Sequence, residues 1–178
     1  MSSRLDYSAP TTQFAFDVNS SQLFKKDDQN YINIVSANQL NTLTNYSILD
    51  IFLSTNNVIE PHYHQTASEL VYCISGAATI SLLNPFTKEL ISYAITPGQV
   101  VNIPKAWWHF EIATEDQTHL LAIFDAPVPD TILGSDILKF TPANIMAHTY
   151  CMNEQQWAQL ISSIQPDTFI GPSKNCDS

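Results

Sequence analysis

Three histidines and a glutamate in this chain have the types and spacing of a metal-coordinating set. His62, His64 and Glu69 fall within Pro61-His62-Tyr63-His64-Gln65-Thr66-Ala67-Ser68-Glu69, an H-x-H-x4-E pattern. His109 closes a second stretch that opens at Gly98 and passes through Pro104, Trp107 and Trp108. Imidazole nitrogens with one carboxylate suit a divalent transition metal: manganese, iron, nickel, cobalt, copper or zinc. A single anionic ligand leaves such a centre net positive, able to bind an anion or to activate water or dioxygen.

These side chains need strands to position them. Side chains alternate along a strand, so His62 and His64 share one face. A turn through residues 65–68 returns Glu69, at the start of the next strand, to that face, and His109 must arrive from an antiparallel neighbour. Short β-favouring runs cover 31–35, 46–54, 70–75, 77–83, 89–95, 100–103, 107–112 and 119–124. Turn signals punctuate them at Asn56-Asn57, Ser75-Gly76, Asn84-Pro85, Pro97-Gly98 and Glu115-Asp116. Many short, evenly punctuated strands predict an all-β sandwich or barrel.

The flanks differ in character. Residues 1–30 are polar and read as an arm with one short strand near 14–18, residues 31–135 as the barrel, and 136–178 as helices and a loose tail. Thr141-Pro142 reads as an N-cap followed by proline in the first helical position. Asn153 and Gln156 resemble a capping box. Behind them Trp157, Leu160 and Ile161 form one apolar stripe, and Pro166 is expected to end that helix.

Bulk properties exclude several functions. The 178 residues suffice for one domain, and 44% hydrophobic content supports a core. With a net charge of −10 and Arg4 as the sole arginine, no basic patch can form. Nucleic acid and anionic membranes are therefore not expected partners. Cys73, Cys151 and Cys176 form no C-x-x-C and are odd in number, which argues against a disulfide framework or a thiolate zinc site. The first residues lack an apolar signal region, so the expected location is the cytoplasm.

Alternation from His109 places Trp107, Glu111 and Ala113 on its face, with Trp108 and Phe110 opposite. Trp107 is thus expected to wall the pocket. Glu111 is a candidate proton carrier beside the metal, and Glu69 a second catalytic candidate. His119 reads as a partly exposed structural residue, His148 as surface or interface, Cys73 as a buried neutral thiol, and Glu60 as solvent-facing.

The two stretches resemble the motifs of the cupin superfamily. Its first motif, G-x5-H-x-H-x3,4-E-x6-G, is matched by His62, His64, Glu69 and Gly76, with Asn56 in the first glycine position. Its second, G-x5-P-x-G-x2-H-x3-N, is matched by Gly98, Pro104 and His109. Two of the four glycines in the chain thereby fall on motif positions. Asparagine is the next best residue where φ is positive. Ala106 replaces a motif glycine and is expected to use an ordinary conformation. Ala113 replaces the asparagine that lies near substrate in several relatives.

The stretch from Glu69 to Gly76 and the C-terminal helices look like the germin, spherulin and oxalate decarboxylase branch. That resemblance implies a double-stranded β-helix, the cupin jelly-roll barrel, with a centre of manganese type and assembly into homo-oligomers, dimers or larger. It implies a metal-dependent enzyme of oxygenase, oxidase or decarboxylase type, acting on a small carboxylate or enolic compound. The alternative is a non-catalytic metal-bearing binding or structural protein of spherulin or storage type. Oxalate itself is disfavoured, because a dianion is usually helped by an arginine and the only one lies in the N-terminal arm. A metal-free sugar-binding or isomerase-type cupin is a third, weaker reading, since such relatives usually lose a ligand.

Overall fold

The computed structural model describes residues 5–173. The expectations for the N-terminal signal, Arg4 and Cys176 fall outside them. Two antiparallel sheets face each other. The first has the order β1-β2-β3-β10-β5-β8 and the second β11-β4-β9-β6-β7. The first sheet comprises β1 (Gln22–Lys25), β2 (Tyr31–Val35), β3 (Ser47–Leu53), β5 (Glu69–Ser75), β8 (Val100–Ile103) and β10 (Thr118–Phe124). The second comprises β4 (Val58–Tyr63), β6 (Ala78–Leu83), β7 (Leu90–Ile95), β9 (His109–Ala113) and β11 (Ile132–Leu133), with β12 (Ile170–Gly171) also on the edge of β4. Three short helices follow β11: α1 (Gly134–Phe140), α2 (Ala143–Tyr150) and α3 (Glu154–Leu160).

Strict alternation builds the interior. Along β10 and β9 every second side chain is buried, the pattern of strands packed on one face. Ile32, Ile51, Leu53, Val71, Ile80, Ile103, Leu120 and Phe124 are fully buried between the sheets. This is the all-β architecture that the run pattern predicts, arranged as the double-stranded jelly roll that the cupin resemblance implies.

Three local differences from the sequence reading have clear causes. The N-terminal strand is β1, not residues 14–18. Strand β4 is absent from the apolar runs because Glu60-Pro61-His62 interrupts its alternation. Proline has no N–H to give a ladder, and it is tolerated at a bulge. Against β9 the register runs from Ile59↔Glu111 to His62↔His109, three residues on β4 for two on β9, so Pro61 falls within a bulge. Finally, β9 begins at His109 and not at Trp107, because Trp107 N–H closes a turn onto the Pro104 carbonyl at 3.1 Å.

The turns use the motif positions, with one departure. Asn56 has φ +65° and Gly76 φ +68°. A Cβ on Gly76 would lie 2.6 Å from Thr118 Cα, so only glycine fits there. Ala106 does not adopt an ordinary conformation: its φ is +64°. The turn before His109 keeps its left-handed geometry because Ala106 N–H donates to the His64 carbonyl at 3.0 Å. An L-residue there costs about 1–2 kcal/mol. Ala106→Gly is therefore expected to raise stability by about 0.5–1 kcal/mol, after the extra freedom of glycine in the unfolded chain is deducted. Urea unfolding measures it, and a loss of stability would mean that the strain is relieved elsewhere.

The C-terminal segment is more tied down than its composition indicates. Helix α1 lies outside the expected helices, and Thr141 caps its end, leaving Pro142 as the N-cap of α2. Asn153 does cap α3, its side chain accepting from Gln156 N–H at 3.0 Å. That helix stops at Leu160, well before Pro166. Its stripe divides: Ile161 is buried, while Leu160 is 71% exposed. Nor is Gly171 part of a loose tail, since Ile170 and Gly171 pair with Ile59 and Val58 of β4.

Candidate metal centre

The bulge in β4 and the start of β9 set His62 directly across from His109. Glu69 opens β5 opposite Phe124 and Ile103. His64 follows β4 by one residue. The four side chains converge so that one ligand atom from each lies within 4.8 Å of all the others. Each is at most 4% exposed.

The imidazoles are pre-oriented. His62 Nδ1–H donates to the Glu60 carbonyl at 2.7 Å and His109 Nδ1–H to the Trp107 carbonyl at 2.8 Å. His64 Nδ1–H reaches the Asp130 carbonyl at 3.1 Å, with Thr131 Oγ1 at 3.0 Å. A carbonyl can only accept, so these contacts put a proton on each Nδ1 and turn the Nε2 atoms inward. Such outer contacts fix tautomer and ring direction at metal sites.

The inward Nε2 atoms meet the carboxylate of Glu69. Glu69 Oε2 is 2.9 Å from His109 Nε2 and 3.2 Å from His64 Nε2. The second contact is misaligned, and His64 Nε2 has no hydrogen-bond partner. Burial pushes the Glu69 carboxyl up, but the hydrogen bond from His109 and the proximity of both His109 and His64 outweigh it and hold the group below its usual range. Burial, then the neighbouring His109, drives His62 well below its ordinary value, so it stays neutral. Three imidazoles with inward Nε2 atoms, one carboxylate and an orphaned buried nitrogen form a donor set that fits a divalent cation.

Glu111 lies one inward position beyond His109 on β9, as the alternation requires. It is 1% exposed, and neither carboxyl oxygen has a partner. Burial, then repulsion from Glu69, raises it well above its ordinary value. It shares a cavity of ≈ 240 Å³ with His62, His64 and Glu69.

Two pocket expectations are corrected. Trp107 does not wall this cavity; because it precedes the strand, parity does not apply, and it lines a separate cleft with Leu82, Ile91 and Tyr93. Glu60 does not face solvent. The bulge carries it to the edge of β4, where it accepts from Ser135 N–H and Oγ–H at 2.8 Å and from Phe169 N–H at 3.0 Å. Phe169 in turn lines the cavity. Glu60→Gln keeps one acceptor oxygen where three donors converge, so a loss of about 2–3 kcal/mol is expected. Hydrogen exchange at the Phe169 amide should accelerate with it; unchanged protection would show that Glu60 does not anchor this segment.

The remaining candidates lie elsewhere. His119 Nε2 meets Asp50 Oδ1 at 2.6 Å and its ring stacks on Phe52, a structural role. His148 is exposed on α2. Cys73 is buried, and burial raises its thiol. The sequence reading missed Asp130, Thr131 and Phe169. No local periodicity marks them, and they reach the site only because the chain returns past the barrel after β10.

An antiparallel β-barrel with an inward cluster of three histidines and one glutamate defines a class of metal-site jelly rolls. The chain belongs to the Cupin family, whose profile matches residues 18–156. It is 29% identical over 139 residues to Germin-like protein subfamily 2 member 1 of Arabidopsis thaliana, covering 75% of this chain and 63% of that protein. It is 23% identical over 128 residues to Glycinin G3 of Glycine max, covering 68% of this chain and 26% of that protein. The fold matches oxalate decarboxylase from Bacillus subtilis with a TM-score of 0.77 at 19% identity, covering 95% of this chain and 45% of the other. The chain thus spans less than two thirds of the length of each of these proteins.

Proposed function

We propose that the protein binds a divalent transition metal through His62, His64, Glu69 and His109 and acts as a metal-dependent enzyme on a small carboxylate or enolic compound. Manganese is the first candidate, with iron, nickel, cobalt, copper and zinc also compatible with the donors. The observation that carries this reading is the preset Nδ1–H arrangement around the unpartnered His64 Nε2. The germin-like relatives and the oxalate decarboxylase fold match support it.

A bound cation supplies Lewis acidity and, for redox-active metals, a route for electrons. The chain's own groups do the rest. Asp130 and Thr131 hold His64 in place, and the Glu60 carbonyl holds His62. Glu69 would hold the cation together with the three imidazoles. Glu111, whose oxygens have no other partner, takes or delivers a proton at a substrate oxygen. Aliphatic walls and Phe169 exclude water.

Similarity to Glycinin G3 and to the pro-11S globulin of pumpkin favours a second reading, a metal-bearing structural or binding protein without turnover. In either case we propose a cytoplasmic homo-oligomer. The exposed Phe140, Ile145, Tyr150 and Leu160 of the helical segment supply apolar surface for contacts between copies. Elemental analysis of purified protein, followed by oxygen uptake and carbon dioxide release on an oxalate, keto-acid and flavonol panel, separates the two. About one metal per chain with substrate-dependent turnover is expected. Metal without turnover would leave the second reading, and no metal would reject both.

A further inference from the structure

The cavity beside the cluster has an unusual balance of chemistry. Ile32, Ile34, Leu49, Ile51, Ile59 and Leu133 supply aliphatic wall. Among the described lining residues there is no lysine or arginine. The titratable groups facing the space are His62, His64, Glu69, Glu111 and Asp130. A dicarboxylate entering it would give up its hydration and meet acidic side chains, with no protein cation to offset the loss. An apolar body would instead gain about fourfold in affinity per methylene buried. A cavity of about 150 Å³ holds benzene, so ≈ 240 Å³ admits a body of roughly six to eight carbons.

Glu111 adds a polar requirement. Both its oxygens are buried in this cavity without a partner, and buried polar groups of native proteins are as a rule satisfied. In either protonation state a carboxyl oxygen accepts from a hydroxyl. The inward Nε2 cluster calls for an oxygen lone pair on the same ligand.

We infer that the site takes a compact apolar molecule bearing a hydroxyl beside a carbonyl-type oxygen, and that Glu111 is the specificity-determining residue that receives the hydroxyl. The inference rests on the metal reading above for the second oxygen, but not for the apolar wall.

The test uses cobalt-loaded protein, followed by its visible spectrum, with acetohydroxamic acid, hexanohydroxamic acid and oxalate as probes. The two hydroxamic acids share a carbonyl oxygen for the metal and a hydroxyl for Glu111, and differ by four methylenes. Hexanohydroxamate should bind at least about 50-fold more tightly than acetohydroxamate, and oxalate more weakly than either. Glu111→Leu should lower hexanohydroxamate affinity about tenfold with cobalt affinity unchanged, and Glu111→Gln should restore most of it. Absence of a chain-length trend, or oxalate binding as well as hexanohydroxamate, overturns the inference while leaving the metal reading intact. A second arm uses metal-free protein and follows its thermal midpoint in 1-hexanol against ethanol. Stabilisation by hexanol alone is expected even if cobalt is not taken up, in which case the metal reading alone has failed. No difference between the alcohols rejects the apolar wall.

Discussion

Replacing His109 with alanine is expected to abolish stoichiometric metal binding. Outer contacts to metal-bound histidines are worth roughly 10–100-fold in affinity, and removing a ligand itself exceeds that. His109 lies opposite His62 on the neighbouring strand and is 2.9 Å from Glu69, so its loss leaves only three of the four clustered ligands. The same variant should weaken the metal-free protein. Glu69 would lose its shortest partner and remain as a buried charge, a change that costs about 3–5 kcal/mol. Elemental analysis and isothermal titration with manganese read the first effect, and urea unfolding reads the second. His119→Ala is the control, because that residue lies on the outside of the first sheet against Asp50 and Phe52. Wild-type metal affinity in His109→Ala would refute the site.

Glu111→Leu is expected to make the metal-free protein more stable. The native carboxyl is buried without a hydrogen bond, and an apolar side chain of similar volume removes that penalty, about 1–4 kcal/mol. For a chain of this length each kcal/mol moves the midpoint by roughly 2–4 °C. The sign of the pH dependence follows from the raised pKa. Above its ordinary 4.5 the unfolded chain releases the Glu111 proton while the folded protein keeps it. Native stability contributed by that proton is therefore present in acid and declines as pH rises. Leucine has no proton to lose, so the gap between variant and wild type should open from pH 4.5 upward. Glu111→Gln should retain normal metal content and lose turnover. A variant no more stable than wild type at about pH 7 would show that Glu111 has a partner in solution. Unchanged turnover in the glutamine variant would remove it from the chemistry. Side chains that are retained at a cost in stability are typical of functional positions.

The pattern of these effects reflects how different parts of the fold are encoded. Most of the barrel strands could be placed from alternation and turn residues, because strand period and turn chemistry are local properties. The same logic put Glu111 on the face of His109, where it is found. It failed at two points where the period breaks. The bulge around Pro61 slips the register of β4 against β9 by one residue, which turns Glu60 into an anchor for Ser135 and Phe169. The turn before His109 ends the alternation, which sends Trp107 to another cleft. Ala106 holds φ +64° for a comparable reason: a long-range hydrogen bond to His64 overrides the residue's own preference.

By itself, then, the amino-acid order specified an all-β chain and the four side chains at 62, 64, 69 and 109. The strands, and the shared face of His62 and His64, follow from a backbone whose side chains alternate with period two; Glu69 and His109 join them through the spacing that resembles the cupin motifs. What surrounds those side chains was settled only by tertiary structure. Asp130 and Thr131 orient His64, Phe169 joins the lining of the cavity, and Ile170 pairs with β4, all through contacts between residues far apart in the chain. Such contacts leave no periodic trace, because they depend on where a returning segment docks and not on the local geometry of the chain that makes it.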